Sequence, residues 1–268
     1  MKVLIMTDLE GISGVDTIDM IDEANVELNR FARERLMADL NAAVAGCLDA
    51  GADEVYVVDG HGGGNNFYPE LLHPAAKQVR GLCVGELKAW EDIIRTGCDA
   101  YLEVGCHAMP GTLNGFLDHC QSSRSWYNNK INGRCCGEIA QGALFAGAFG
   151  VPFVMMSGDD AACLEARAFL GNIETASVKT GIGRNRARCI PLDEAEARIR
   201  EAACRGVQRR SEIRPYKVTM PMEIRLELYR SDMADALCER YPHIERVDAR
   251  CVRTVVPEIR CYKDVMIH

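Results

Sequence analysis

The stretch KVLIMTDLEGISG, residues 2–14, largely decides how the fold is predicted. Residues 3–6 are apolar and predict a short buried strand, and Asp8 and Glu10 follow with one residue between them. Because side chains alternate across a strand, residues two apart point to the same face. Two carboxylates on one face repel each other unless a positive charge lies between them or one of them holds a proton. The end of this strand is therefore a candidate functional site.

Further apolar runs alternate with helical patterns along the first part of the chain. Strand-like runs separated by helices predict an α/β fold, with a mostly parallel sheet flanked by helices. The other strand-like runs lie at residues 54–60, 101–107 and 151–160, and the helical patterns lie at 23–50, 137–150, 165–171 and 193–210.

The pattern changes near Ile213. Residues 217–229 alternate like a strand, residues 231–241 suit a short helix, and residues 248–262 predict one or two more strands. We expect a larger α/β catalytic domain over residues 1–210. We expect a smaller C-terminal α+β domain over residues 211–268, and this smaller domain would supply an oligomer interface.

Composition and charge exclude several classes of protein. The 268-residue chain has a formal net charge of −8, whereas nucleic acids and anionic membranes bind basic faces, so we expect neither as a partner. The 13 cysteines are scattered without a C-x-x-C pair, which predicts small buried thiols rather than disulfides or a structural zinc site. No apolar stretch is long enough for a bilayer, and the N-terminal run is short for a signal peptide. The sequence predicts a cytoplasmic protein.

Carboxylates and histidines follow the predicted strands. In open parallel sheets, ligands bind outside the carboxyl ends of the strands, where these side chains would meet. Carboxylates and imidazoles converging at one edge are typical of a zinc-type or two-metal hydrolytic site. A pair of metal ions would also explain two carboxylates on one face. The residues concerned are Asp8, Glu10, Asp59, His61, His107, His119, Glu138, Asp159 and Asp160.

Each of these residues also has an ordinary structural explanation. Asp8 and Glu10 suit a turn or a helix cap, and a single histidine more often makes hydrogen bonds within the fold. Glu138 suits the first turn of a helix, where the helix dipole favours negative charge. The combination favours a metal site, because all of these explanations would have to hold separately.

Two thiols leave a different chemistry open. Cys106 precedes His107 and Cys120 follows His119, so a cysteine-dependent amidase is an alternative. The HGGG segment at residues 61–64 is similar to the oxyanion loop of some lipases, but the sequence has no G-x-S-x-G motif to accompany it. It also has neither a phosphate-binding P-loop motif nor an H-E-x-x-H motif.

Six segments together resemble peptidase family M55, the D-aminopeptidase family. They occur in the order and approximate spacing of that family, and they are TDLEGISG, DGHGGGNN, GCHAMPGT, LDHCQSS, INGRCCGEIA and VPFVMMSGDDAA. The similarity runs from residue 1 to about residue 200 and continues more weakly through KVTMPMEIRLEL and IERVDARCVRT.

The resemblance implies a binuclear centre with two zinc ions or another divalent metal. Asp8 matches the bridging carboxylate and Glu10 a terminal ligand. His61 and His107 match the two histidine ligands, and Glu138 matches the last carboxylate.

The resemblance also implies a catalytic role for His119, as nucleophile or as general acid–base. Two features depart from the family pattern: the loop between His107 and His119 is one residue longer, and Cys120 replaces a small hydroxyl or apolar residue. Asp59 is expected to orient His61. Asp159 and Asp160 are expected either to bind a substrate amine or to cap the following helix.

The implied function is a zinc-dependent aminopeptidase of the D-aminopeptidase type. It would hydrolyse short peptides or small amides and form a homo-oligomer, as members of the family do. A metal-dependent hydrolase of another amide or of a phosphoester on the same scaffold would have the same motifs, because a fold does not fix a substrate. A non-catalytic binding protein would be expected to lack some of the six site residues, and all six are present.

Overall fold

The computed structural model describes residues 1–79 and 89–268 of the chain. Within these ranges the helices and strands alternate along most of the length. In chain order they are β1 (Lys2–Thr7), α1 (Val26–Asp49), β2 (Glu54–Asp59), β3 (Ala76–Gln78), α2 (Ala89–Arg95), β4 (Ala100–Cys106), β5 (Trp126–Ile131), β6 (Arg134–Cys135), α3 (Glu138–Ala148), β7 (Phe153–Asp159), α4 (Asp160–Leu170), β8 (Glu174–Gly183), β9 (Arg186–Cys189), α5 (Leu192–Gln208), β10 (Met222–Leu228), α6 (Ser231–Arg240), β11 (Glu245–Arg246) and β12 (Cys251–Val256).

The larger sheet has the strand order β3-β2-β1-β4-β7-β8-β9. Neighbouring strands run parallel, except that the edge strand β9 is antiparallel to β8. The central strands β1, β4 and β7 are buried along nearly their whole length, which explains their continuous apolar runs. The predicted mostly parallel sheet is confirmed.

Helices flank this sheet and pack against one another. A Cβ at Gly46 in α1 would lie 2.2 Å from the backbone oxygen of Arg200 in α5, so these helices approach closely at a glycine. Helices α2 and α3 meet through Trp90 and Phe145, whose ring centroids are 5.1 Å apart. The helices predicted at residues 23–50 and 137–150 are confirmed as α1 and α3, each a few residues shorter.

The register of the central strands brings their carboxyl ends to one level. Thr7 at the end of β1 pairs with Asp59 at the end of β2 and with Val104 in β4. Cys106 at the end of β4 pairs with Gly158 near the end of β7. Side chains that follow these strands therefore start from the same edge of the sheet.

A second, antiparallel sheet has the strand order β11-β12-β10-β5-β6. Three of its strands come from the C-terminal part of the chain, and β5 and β6 come from residues 126–135. Strand β10 pairs with β5, with Ile224 opposite Ile131. The C-terminal part is α+β in character, as expected, but its sheet is completed by strands from the first 210 residues. A domain division at residue 210 remains a prediction.

No helix in the described part of the chain is both long enough and apolar enough to cross a bilayer.

Candidate metal centre

The segment after β1 carries Asp8 and Glu10 and runs against the end of β4. The Gly11 N–H donates a hydrogen bond to the Gly105 oxygen at 2.7 Å. A Cβ at Gly11 would lie 2.0 Å from the backbone oxygen of Cys106, so this approach requires glycine. Gly11, the residue directly after Glu10, is therefore needed for backbone packing, which in turn fixes the position of the two carboxylates.

Asp59, the last residue of β2, shapes the loop that presents His61. Its carboxylate accepts hydrogen bonds from the Asn66 N–H at 2.6 Å and from the His61 N–H at 3.3 Å. Asp59 therefore contacts the backbone of His61 rather than its ring. The ring turns towards the first strand, and its Nδ1 lies 2.9 Å from Asp8 Oδ1 and 3.0 Å from Glu10 Oε2.

His107 follows β4, and His119 comes back over it from the next loop. Their rings stack with centroids 3.9 Å apart and an angle of 13° between their planes. His107 Nδ1 lies 3.1 Å from the Ala108 oxygen, and His119 Nδ1 lies 2.8 Å from the Leu117 oxygen. An N–H at Nδ1 donates to each carbonyl, which leaves Nε2 of both rings available to the site.

Glu138 is the first residue of α3, directly after the N-cap Gly137. Its Oε1 accepts a hydrogen bond from the Gln121 N–H at 2.6 Å. The same oxygen lies 3.4 Å from His107 Nε2 and 3.9 Å from His119 Nε2. The helix start therefore brings a carboxylate to both histidines.

All six residues singled out from the sequence come together, in two groups of three. Within each group the candidate ligand atoms lie within 4.8 Å of one another, and the groups are Asp8, Glu10 and His61, and His107, His119 and Glu138. Asp8 connects the groups, because its Oδ1 is 2.9 Å from His61 Nδ1 and its Oδ2 is 3.3 Å from His107 Nε2.

Burial and close charges shift the ionisation of the site. Burial, together with the Glu10 carboxylate, raises the pKa of Asp8 to about 7. Burial alone would raise the pKa of Glu10, but the His61 imidazolium holds it well below its usual range. At His119, burial and the positive charge of His107 lower the pKa, which favours a neutral imidazole at this position.

The donor set fits a divalent cation. Glu10 Oε2 is buried and has no properly oriented hydrogen bond within the described residues, although His61 Nδ1 is only 3.0 Å away. The same Nδ1 lies 2.9 Å from Asp8 Oδ1. A buried carboxylate oxygen without a donor, next to an imidazole and a second carboxylate, is suited to zinc and to several other divalent ions.

The two thiols considered from the sequence are not arranged as nucleophiles. Cys106 Sγ donates to Glu103 Oε2 at 3.0 Å. Cys106 and Cys120 are both buried, and burial raises the pKa of each thiol well above its usual range. A nucleophilic cysteine needs its thiolate form, usually beside a positive group that lowers the pKa. The geometry therefore gives no support to a cysteine-dependent amidase.

Asp159 and Asp160 are engaged in holding the fold. Asp159 caps α4 by accepting from the Ala162 N–H at 2.9 Å, and it also accepts from the Phe116 N–H at 2.8 Å. Asp160 accepts from the Ser177 hydroxyl. Of the two roles considered from the sequence, Asp159 has that of a helix cap, whereas Asp160 contacts hydroxyl groups of β8.

Two further residues contribute to the site without any signal in the sequence pattern. Lys179 in β8 is buried, and its ammonium donates to the Glu10 oxygen at 2.8 Å and to the Val15 oxygen at 2.6 Å. This contact fastens the segment that carries the first two carboxylates. The backbone N–H of Gln121 donates a hydrogen bond to Glu138. Any residue except proline has such a donor, so the sequence does not predict this contact.

Comparison with known proteins places this geometry in context. The model of peptidase family M55, described as D-aminopeptidase, matches residues 1–266. A D-aminopeptidase of Bacillus subtilis (strain 168) is 31% identical over 221 residues, which make up 80% of this chain and 77% of that protein. The solved structure of the Zn-dependent D-aminopeptidase DppA from Bacillus subtilis, described as a self-compartmentalizing protease, superposes with a TM-score of 0.88. That comparison has 26% sequence identity and covers 99% of this chain and 94% of the other.

Proposed function

The chain belongs to peptidase family M55, and we propose that it is a zinc-dependent aminopeptidase of the D-aminopeptidase type acting on short peptides or small amides. One observation carries the proposal beyond the family match. The two groups of ligand-type side chains meet at the carboxyl ends of β1, β2 and β4, and Asp8 of the first group connects them, because its Oδ2 lies 3.3 Å from His107 Nε2 of the second. A site of this kind is suited to amide hydrolysis assisted by two metal ions.

Two zinc ions would be held by five of the six residues. Asp8 would bridge them, since its two oxygens face different histidines. Glu10 and His61 would complete one position, and His107 and Glu138 the other. When bound, the zinc ions would lower the pKa of a water molecule and polarise the scissile carbonyl.

His119 is assigned the transfer of protons. Its Nδ1–H donates to the Leu117 oxygen, so its Nε2 is free to accept a proton and return it to the leaving amine. The lowered pKa favours the neutral ring that a proton acceptor requires. Ring stacking on His107 holds the imidazole in place at the edge of the site.

The proposal extends to assembly and location. The structural relative is described as self-compartmentalizing, and we propose that this chain also forms a homo-oligomer through its C-terminal strands. Exposed apolar side chains on or next to the second sheet, including Tyr127 in β5, Val255 in β12 and Tyr229 directly after β10, favour a contact there. We propose a cytoplasmic location, because the scattered free thiols suit a reducing compartment.

The test is hydrolysis of tri-D-alanine and tri-L-alanine by the zinc-loaded protein. The measured quantity is the amount of N-terminal residue that is released. We expect hydrolysis of the D-peptide and a much slower reaction of the L-peptide. A chelator should abolish the activity and added zinc should restore it, while a thiol-alkylating reagent should leave it intact. Loss of activity on alkylation, with resistance to chelation, would reject the metallopeptidase in favour of a thiol enzyme.

A further inference from the structure

The cleft above the metal centre has walls of opposite charge. It has a volume of about 450 Å³, and its acidic side contains Asp8, Glu10 and Glu138. Arg124 and Lys263 line the same cleft. In size the cleft is suited to a small ligand, since such sites usually measure about 300–1,000 Å³.

Arg124 lies on a turn that is tied directly to the metal centre. The turn begins after Gln121, whose N–H donates to Glu138 Oε1 at 2.6 Å. Within it, the Trp126 N–H donates to the Ser122 oxygen at 3.0 Å. The backbone that carries Arg124 is therefore fixed relative to a proposed zinc ligand, while the guanidinium itself is exposed.

Lys263 lies on the turn Tyr262–Val265, which is anchored in the core. The Tyr262 ring is buried between Trp90 and Phe145, with centroid separations of 5.1 and 5.8 Å. The Asp264 carboxylate accepts hydrogen bonds from the backbone N–H groups of Arg260 and Cys261, which directly precede the turn. This turn holds Lys263 at the cleft and leaves its ammonium exposed.

Among the residues that the structure describes, Arg124 and Lys263 have no ion-pair partner, whereas arginines such as Arg200, Arg225 and Arg253 are paired with carboxylates. Two unpaired cations beside a cleft, in a chain with a net charge of −8, are suited to an anionic group of a ligand.

We propose that Arg124 and Lys263 bind the C-terminal carboxylate of a short peptide whose amino end lies at the metal centre. This inference rests on the proposed aminopeptidase function and specifies its substrate class. A short peptide is a zwitterion, with an ammonium group at one end and a carboxylate at the other. The cleft offers its basic groups to the carboxylate, while the amino end lies at the proposed metal ions, so it selects free peptides of a few residues over amidated or long ones.

Charge-assisted contacts of this kind predict the size of the effect. Arginine and lysine bind a carboxylate through hydrogen bonds that are roughly twice as strong as neutral ones. Loss of such contacts typically lowers kcat/KM by about 10- to 100-fold. Because the carboxylate is remote from the scissile bond, the loss should appear mainly as a higher KM with kcat little changed.

The test compares matched substrates of two, three and four D-alanine residues, each as the free acid and as the C-terminal amide. The zinc-loaded wild type should prefer the free acid of at least one length by about 10- to 100-fold in kcat/KM. In the Arg124→Gln/Lys263→Gln double variant this preference should disappear, while hydrolysis of the amides continues at the wild-type rate. The control is Lys217→Gln, which removes an exposed cation from a different surface cavity and should keep the preference.

The outcomes separate the two levels of the proposal. The role of the two cations would be overturned if the wild type hydrolysed acids and amides at equal rates, or if the double variant kept the preference for acids. Either result would leave the proposed aminopeptidase function standing. Failure of the wild type to hydrolyse any acid or amide would reject the proposed function, and this inference with it.

Discussion

At the residue level, Asp8 explains why two carboxylates follow one strand. Its two oxygens face two different histidines, and the buried Oε2 of Glu10 beside it has no well-oriented hydrogen bond from the residues that the structure describes. Without a bound metal ion such an arrangement is costly, because buried carboxylates require positive or hydrogen-bonding partners. It becomes favourable when divalent cations supply the missing positive charge.

His119 provides a prediction at the same level. His119→Gln should lower kcat by about 10²- to 10⁴-fold, the usual contribution of a positioned acid–base group. Zinc content should stay at the wild-type value, because the proposal does not make this residue a ligand. Kinetics and elemental analysis of the same preparation check both statements. A variant that loses one zinc ion would show that His119 is a ligand.

Among the elements, the loop that carries His119 depends on the start of α4. Asp159 caps this helix and also holds the Phe116 N–H, three residues before His119. Asp159→Ala should lower the free energy of unfolding by about 2–4 kcal/mol, through a lost cap and an unsatisfied buried donor. It should also lower kcat by about 10- to 100-fold, since misplaced catalytic groups are costly.

A matched control lies at the next position. Asp160 belongs to the first turn of the same helix and accepts from Ser177 rather than from the His119 loop. Asp160→Ala should keep the wild-type kcat. Peptide hydrolysis measures kcat and chemical denaturation measures stability in both variants. Equal losses of kcat in the two variants would show that Asp159 has no specific role.

Helix α1 holds the segment after β1 through Asp39, and this contact predicts a pH effect. The fully buried carboxylate accepts from the Ser13 N–H at 2.8 Å and from the Ser13 hydroxyl at 2.6 Å. Burial raises the pKa of Asp39 from 3.8 to about 6. Between these values the folded state binds the proton more tightly than the unfolded state. The contribution of Asp39 to stability is therefore present below about pH 4 and is lost as the pH rises through about 6.

Comparison with Asp39→Asn isolates the contribution of Asp39 ionisation to stability, because the other titrating groups are common to both proteins. The free energy of unfolding of the wild type, relative to the variant, should fall by about 3 kcal/mol as the pH rises across this interval. Chemical denaturation at several pH values measures the difference. A difference that is constant or grows with pH would contradict the assignment.

The elements also show how far the sequence can predict this molecule. Strands β1, β2, β4 and β7 were predictable because a strand covered on both faces is a continuous apolar run. The convergence of Asp8, His61, His107 and Glu138 was predictable because they follow those strands or open the next helix; their role as site residues remains a prediction. Strand β5 was not, since it pairs with β10 more than ninety residues away and its WYNNKI sequence contains no continuous apolar run. Lys179 was unpredictable as well, because only the folded chain shows which carbonyls surround it.

For the whole molecule, the second sheet makes the oligomer testable. The native mass should be a multiple of the 29.6 kDa chain, because the exposed apolar side chains of this sheet are proposed to meet another copy. Val255→Lys places a charge on that face beside Glu223, its partner across the β10–β12 pair. Sedimentation velocity should then show smaller species. A monomeric wild type, or an unchanged distribution in the variant, would remove this interface from the proposal.

The most direct test of the binuclear zinc centre is the metal content of the purified protein, measured by elemental analysis for the wild type and Asp8→Ala. Asp19→Ala serves as the control, because this exposed carboxylate lies outside the site. The proposal predicts two zinc ions per chain in the wild type and in the control, with loss of the metal in Asp8→Ala. A wild type that contains no zinc and cannot be loaded with it, or an Asp8→Ala variant that keeps both ions, would contradict the proposal.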